Sequence, residues 1–294
     1  METIIKCKQI VYTMDFIKEF EKNVKNTIKE YSLFDKRSRV LVACSGGKDS
    51  TVALYLIKKL GYNVEALTID LGIGNYSKKN LENTRKFCKI HNIKLNESSF
   101  TEHFGCSKCK IERTLKNNGV CLNSCSICGV LRRYLLNKLA RELKFDVIVT
   151  GHNIDDEAQA ILMNFLRNTM QLQSRLGPKA GLIKNAKFVP RVKPLYFSFE
   201  DDIRKYSKMH NFELMYEKCP CSSDSFRNKV REALNSLPNS RDIKKNIVDN
   251  FLEILPKLKN KYLKEGKLCI CDKCGEPSSE EVCTTCKLLE NLKL

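Results

Sequence analysis

Val40-Leu41-Val42-Ala43-Cys44-Ser45-Gly46-Gly47-Lys48-Asp49-Ser50 is the stretch from which the fold can be read. Its first five residues form a short apolar, β-branched-rich run, the composition of a strand buried on both faces of a parallel sheet. Ser45-Gly46-Gly47 turns the chain. The 48–60 stretch behind it is helix-like and apolar on most faces, so it packs against a sheet. The alternation then repeats, with strands over 64–69, 93–97 and 147–150 and helices over 78–91, 129–143 and 155–168. Strands alternating with helices specify an α/β fold, a doubly wound parallel sheet. Ligands of such sheets sit outside the carboxyl ends of the strands, and those ends are Ser45, Asp70 and Gly151.

Outward from this nucleus the pattern changes. Residues 15–31 carry apolar side chains at 16, 17, 20, 24 and 28, an amphipathic helix. After Gly181 the pattern loosens, and 226–237 and 243–262 read as two basic helices separated by Pro238-Asn239-Ser240. From Arg227 to Lys267 eleven Lys or Arg stand against five Asp or Glu. The expected organisation is an N-terminal helical segment (1–36), an α/β domain (37–222), a basic helical region (223–267) and a cysteine-rich tail (268–294).

Lys and Arg number 52 against 34 Asp and Glu, a net +18 over 294 residues, with 15 cysteines and no tryptophan. At 42% hydrophobic and 29% charged residues the chain has enough apolar matter to fold, which excludes a disordered protein. No stretch approaches the roughly 18 apolar residues of a membrane helix. Residues 1–20 lack a signal-peptide core, so a cytoplasmic location is expected. In a reducing compartment an odd number of thiols points to metal rather than disulfides. The charge points to a polyanionic partner whose counterions are released on binding, although a lysine-rich solvated surface gives the same count.

Ser45 to Ser50 joins a strand to a helix, where backbone N–H groups and the helix dipole can cradle phosphate. It is not a Walker A loop, because the first glycine would fall at Val42 and Asp49 follows Lys48. Nor is Gly72-Ile73-Gly74 a dinucleotide fingerprint, since Ser77 occupies the third glycine position. S-G-G-K-D-S resembles instead the PP-loop of ATP pyrophosphatases, which release pyrophosphate after adenylating an acceptor. There Gly46 and Gly47 admit the phosphates to the backbone, Ser45 and Ser50 add hydroxyl donors, and Asp49 helps to organise Mg²⁺. Gly151-His152-Asn153-Ile154-Asp155-Asp156-Glu157 follows the fourth strand on the same side of the sheet. Acids in a first helical turn are by themselves caps or dipole complements. Beside a phosphate loop a carboxylate can also bind metal or act as a base.

The cysteines fall into three groups. Cys271-x2-Cys274-x8-Cys283-x2-Cys286 has the double-knuckle spacing of a closed, structural tetrahedral Zn²⁺ site. Cys125-x2-Cys128 lies directly before the helix with Arg132 and Arg133, and Cys219-Pro220-Cys221 follows much later. Such thiols can form a redox dithiol, half a zinc site, or the three ligands of a [4Fe–4S] cluster whose fourth iron is open. His103, Cys106, Cys109 and Cys121 form a further group with knuckle spacing at Cys106-x2-Cys109, compatible with a second zinc site.

Five ordered motifs now converge: S-G-G-K-D-S, C-S-I-C-G-V-L-R-R, T-G-H-N-I-D-D-E-A, C-P before F-R-N-K-V-R-E, and C-D-K-C-G-E-P-S with C-T-T-C. Together, from about Phe16 to Leu289, they resemble the TtuA/TtcA-type tRNA 2-thiolation enzymes. The closing finger is similar to that of the TtuA branch, which includes the cytosolic wobble-uridine thiolases. The resemblance implies ATP contacts at Ala43, Ser45, Gly46, Gly47, Lys48, Asp49, Ser50, Ile69 and Gly151. It implies Cys125, Cys128 and Cys219 as [4Fe–4S] ligands and Cys271, Cys274, Cys283 and Cys286 as Zn²⁺ ligands. Asp156 matches a catalytic acid, and Arg132 a position where the family often has a catalytic lysine. Arginine keeps the charge but donates no proton at neutral pH, so the role of Arg132 is electrostatic, and Lys48 and Arg132 together are expected to stabilise phosphate charge.

The branch usually begins with another double-knuckle finger, whereas only Cys7 precedes residue 15 here, and the group at 103–121 has no counterpart in the family. The implied partners are tRNA and a sulfur donor, whether sulfide, a persulfide or a ubiquitin-like thiocarboxylate protein. The modified uridine and a homodimeric state are left open. A zinc- or persulfide-dependent thiolase without a cluster and a non-catalytic tRNA-binding or assembly subunit are the competing expectations.

Overall fold

The computed structural model describes residues 2–182, 185, 187–217, 219–222, 226–265 and 269–292, without the side chains of 2–12, 222, 264 and 265. The side chains of Cys7 and Lys264, and the whole of Lys267, therefore lie outside the described residues.

In chain order the elements are α1 (Glu2–Glu30), β1 (Arg39–Cys44), α2 (Lys48–Lys59), β2 (Asn63–Asp70), α3 (Gly74–Ile90) and β3 (Leu95–Ser99). Next come α4 (Phe100–Phe104), α5 (Lys108–Asn117), α6 (Ser124–Glu142), β4 (Val147–Val149), α7 (Ile154–Leu166) and α8 (Met170–Gln173). The second half adds β5 (Lys179–Ala180), β6 (Arg191–Val192), α9 (Glu200–Met209), a 3₁₀ turn at Pro220–Ser222, α10 (Phe226–Ser236) and α11 (Ser240–Glu265). The tail holds β7 (Cys269–Ile270), β8 (Pro277–Ser278) and α12 (Thr284–Glu290).

The strand order is β3-β2-β1-β4-β6-β5, all neighbours parallel except the edge pair β5 and β6. Chain order reverses between β1 and β4. That reversal is the switch point where a doubly wound sheet opens a crevice at its carboxyl end. The alternation along β1 builds both faces. Val40, Val42 and Cys44 pack with Val52 and Leu56 of α2, Val24 and Ile28 of α1, and Ile203 and Tyr206 of α9. Leu41 faces the other way, with Leu67 and Ile148, onto Leu136 and Ala140 of α6.

The structure departs from the sequence expectation at several elements: α1 begins at Glu2 rather than 15, α3 at Gly74 rather than 78, β3 spans Leu95–Ser99 rather than 93–97, and α4 and α5 have no expected counterpart. Residues 178–210 hold β5, β6 and α9, because the strands are two residues long and show no periodicity. The helix expected at 129 begins at Ser124, capped by the Asn123 side chain, so Cys125 and Cys128 lie within it rather than before it.

The basic helices α10 and α11 pack on α7 through Val230, Leu234, Val248, Phe251 and Leu255 against Ile154, Ala158 and Ile161. Lys244 of α11 is ion-paired with Asp155 of α7 at 2.6 Å, both nearly buried, and Asp155 also accepts the Glu200 N–H at 2.8 Å. Removing one partner of a buried pair strands the other charge. Lys244→Met is expected to lower the unfolding free energy by about 3–5 kcal/mol, read as a shift in denaturant midpoint. An unchanged midpoint would show that the pair does not hold α11 in place.

The cysteine tail docks on α6. Leu288 and Leu292 join Ile127, Leu131 and Leu135 in one core, while Glu276 accepts hydrogen bonds from Arg141 and Asn137. Among the described residues no helix is long and apolar enough to cross a membrane.

Candidate active site

The loop after β1 is held from within. Ser45 N–H donates to Ser50 Oγ at 3.2 Å, and Ser50 Oγ and Thr51 Oγ1 donate to the Gly47 carbonyl at 3.1 and 3.0 Å. Gly46 has φ +80° and lies on α3, where a Cβ would stand 2.6 Å from Asn80 Oδ1, so no side chain fits. Gly151, just beyond β4, abuts the same loop: a Cβ there would sit 2.6 Å from Asp49 C and Ser50 N. The two strand ends at the switch point are thus in backbone contact.

The acidic run at the start of α7 is divided by its surroundings. Asp155 belongs to Lys244, and Glu157, 2% exposed, belongs to Lys193 at 2.6 Å. Asp156 closes a capping box with Asn153 and meets Arg227 of α10 at 3.5 Å. Asn153 Nδ2 donates to Asp49 Oδ1 at 3.2 Å, bringing Asp49 beside Asp156. Burial, with help from the neighbouring Asp156 and Glu200 charges, raises the Asp49 carboxyl despite Lys48. Two carboxylates with mutual repulsion at a phosphate loop suit a divalent cation. Lys48 is already engaged by two carboxylates. Its ammonium is held by Glu200 of α9 at 2.7 Å and Asp49 at 3.1 Å, and these carboxylates outweigh burial to raise its pKa.

Beside this loop a cavity of about 230 Å³ opens between β1, β2 and the start of α6. Its wall includes Ala43, Ser45 and Ile69 from the strand ends, and Cys125, Cys128, Cys219 and Arg132 from elsewhere in the chain. Cys125 and Cys128 are three apart, on one face of α6. Cys219 arrives because the segment before it runs along the loop, bridging Gly47 to Met215. The following turn meets α6, where Cys125 Sγ lies 3.8 Å from the Cys221 carbonyl. Burial raises the Cys128 thiol, and Arg132 and Lys108 oppose it. Cys44 and Cys221 line the cavity as well; the three thiols that the resemblance implies, Cys125, Cys128 and Cys219, come to it from two segments, and their soft donors fit an iron–sulfur cluster with one open iron.

The tail forms a different site. Its four sulfurs all lie within 4.8 Å of one another, and among the described residues no other group of thiols does so. Cys271 Sγ is 3.8 Å from Cys286 Sγ, and Cys274 Sγ 3.7 Å from Cys283 Sγ. Zn–S bonds of about 2.3 Å give a tetrahedron with edges of about 3.8 Å, so the four thiols fit zinc. The group at 103–121 is not assembled. Cys106 is buried in the apolar core, His103 Nε2 meets Ser98 Oγ at 2.8 Å, and Cys121 is exposed. Cys109 lies in the first turn of α5 and Cys121 beyond its far end, so the helix holds these two thiols apart.

Glu200, Arg227, Lys108, Ser124, Asn80 and Cys221 are site residues that the sequence reading left without a role. Cys221 and Arg227 lie within or beside quoted motifs, but the others carry no local signal, because their partners are distant in the chain.

Residues 16–237 match the PP-loop domain family. The chain is 38% identical over 279 residues to tRNA-5-methyluridine(54) 2-sulfurtransferase of Pyrococcus horikoshii, covering 92% of this chain and 85% of that protein. It is 33% identical to Cytoplasmic tRNA 2-thiolation protein 1 of Aspergillus niger, with 94% and 81% covered. The U34-tRNA thiolase NcsA from Methanococcus maripaludis, solved with its [4Fe-4S] cluster, superposes with a TM-score of 0.75 at 31% identity, over 95% of this chain and 90% of that one. With a switch-point loop and a thiol-lined cavity side by side, and relatives of this identity over nearly its whole length, the chain belongs to the PP-loop family, on the branch of the tRNA 2-thiolation enzymes.

Proposed function

We propose that the protein is a tRNA 2-thiouridine synthase, an ATP-dependent tRNA sulfurtransferase. The observation that carries this reading is the single cavity whose wall joins the strand ends of the phosphate loop, at Ala43, Ser45 and Ile69, to Cys125, Cys128 and Cys219. An activated base at that junction is within reach of both half-reactions without leaving the protein.

ATP lies along Ala43, Ile69 and Gly151 with its phosphates over Ser45 to Ser50. Asp49 and Asp156 would hold Mg²⁺ there. The C2 oxygen of a uridine attacks the α-phosphorus, the α–β phosphoanhydride bond breaks, and pyrophosphate leaves. Arg132, in the cavity wall, stabilises the adenylated base and the departing AMP. Asp156 accepts the proton released as sulfur replaces oxygen at C2. A [4Fe–4S] cluster held by Cys125, Cys128 and Cys219 would supply the sulfur that replaces oxygen at C2, and the former C2 oxygen would leave with AMP. Lys48, fixed between Asp49 and Glu200, orients Asp49 in the resting state and supplies positive charge to the phosphates. Cys271, Cys274, Cys283 and Cys286 would hold Zn²⁺, which would close the tail that docks on α6.

Exposed Lys229, Lys245, Lys257 and Lys261 on α10 and α11 bind the tRNA backbone. The sulfur donor is sulfide, a persulfide or a thiocarboxylate protein, and the reaction takes place in the cytoplasm. The spread of the central thiols supports a cluster over zinc, since among the described residues only the tail has tetrahedral sulfur spacing. Nucleoside mass spectrometry of position-resolved tRNA fragments, with and without the gene, tests the whole reading. Loss of 2-thiouridine at one position is expected. Unchanged 2-thiouridine in the deletion strain, with no pyrophosphate formed by purified protein and tRNA, would overturn it.

A further inference from the structure

One buried cation stands in the wall of the shared cavity with no part in the chemistry above. The Lys108 side chain is 1% exposed, and lysine is almost never so buried unless paired. Its ammonium pairs with Glu112 Oε2 at 2.5 Å and donates to the Ser124 hydroxyl, which itself donates to the same carboxylate oxygen at 2.9 Å. Cys221 lines the same cavity, and its thiol interacts electrostatically with the ammonium. The backbone N–H of Lys108 donates to the Leu71 carbonyl at 2.8 Å, directly beyond β2. One residue therefore joins the loop bordering the nucleotide half, the first residue of α6 beside Cys125, and the turn carrying Cys219.

Packing alone does not call for a charge here. Hydrophobic residues of similar volume often replace buried ion pairs at no cost or with a gain in stability. What the cavity does gather is thiols, and each thiolate that binds iron adds negative charge. Glu112 does not cancel the ammonium evenly, because its side chain is 34% exposed and solvent screens it, while the ammonium is enclosed in the cavity wall.

We propose that Lys108 is a positioning residue of the thiolation site: its buried ammonium offsets the negative charge of the cysteine-bound cluster and of the sulfur anion it accepts, and fixes Ser124 and the Cys219–Cys221 turn around it. This rests on Cys125, Cys128 and Cys219 being the cluster ligands.

The test is the midpoint potential of the full-length protein, reconstituted anaerobically and titrated with spectroscopic detection, for wild type, Lys108→Met, Lys108→Arg and Glu112→Gln. A reduced cluster carries one more negative charge than an oxidised one. Lys108→Met is therefore expected to shift the potential to more negative values at equal iron content, Lys108→Arg to recover most of the shift, and Glu112→Gln to shift it to more positive values. A residue that only fills space would not move the two charge variants in opposite directions. Unmoved potentials, or shifts of the same sign, overturn the proposal. If circular dichroism shows that Lys108→Met does not fold, Glu112→Gln decides, a positive shift supporting the proposal and any other result sinking it. Wild-type protein that takes up no iron would overturn the cluster reading and this proposal with it, whereas iron-loaded protein with unmoved potentials overturns this proposal alone.

Discussion

Cys128→Ser is expected to yield a protein that folds and binds ATP but holds no cluster iron and makes no 2-thiouridine. Cys128 shares a face of α6 with Cys125, and both line the cavity that Cys219 completes. The exchange of sulfur for oxygen is nearly isosteric, so Ile127 and Leu131, which hold α6 in the core, keep their packing. It nevertheless replaces a soft ligand by a hard, protonated one, and two thiolates do not retain a cubane. Iron and acid-labile sulfide per chain, visible absorbance and nucleoside mass spectrometry read the loss, with far-UV circular dichroism and ATP binding as controls. A variant with full iron and undiminished thiolation would remove Cys128 from the ligand set.

Gly151→Val acts on the other half of the site. Its Cβ would lie 2.6 Å from Asp49 C and Ser50 N, backbone atoms at the start of α2 that no side-chain rotation can clear. The loop must move off the end of β4, taking the phosphate-facing N–H groups with it. ATP affinity is expected to fall more than about tenfold, at least ~1.4 kcal/mol, with thiolation lost while iron content is kept. Gly47→Ala is the comparison, since its Cβ would meet nothing nearer than Ser45 Oγ at 3.5 Å. Its fold should be intact, so any loss of ATP affinity there reports contact with the nucleotide rather than packing. Wild-type affinity in Gly151→Val would exclude the loop as the ATP site.

Much of this was legible from local pattern. The strands at 40–44 and 64–69, the helix behind the loop and the α/β class follow from periodicity within windows of a dozen residues, and β1, β2 and α2 lie where expected. β5 and β6 escaped because a two-residue strand has no period. The start of α6 escaped because its signal is the Asn123 cap, hidden in a run of small polar residues. The group at His103, Cys106, Cys109 and Cys121 misled for the converse reason. Spacing brings thiols together only if the backbone between them turns, and there α5 carries them apart.

The sequence by itself determined the strand–loop–helix nucleus, the double-knuckle tail and the family, because each is encoded in neighbouring residues whose spacing is their geometry. The family resemblance pointed to Asp156 among three adjacent acids, but only the tertiary structure showed what becomes of the other two. Asp155 and Glu157 are taken by Lys244 and Lys193, each remote in the chain, and Asp156 is left beside Asp49. It likewise decided that Lys48 rests on Glu200, that Lys108 is buried in the cavity wall, and that the turn at Cys221 meets Cys125 across 96 residues. The physical reason is the same in each case: burial and charge pairing are properties of contacts between segments, and no local window of sequence contains both partners.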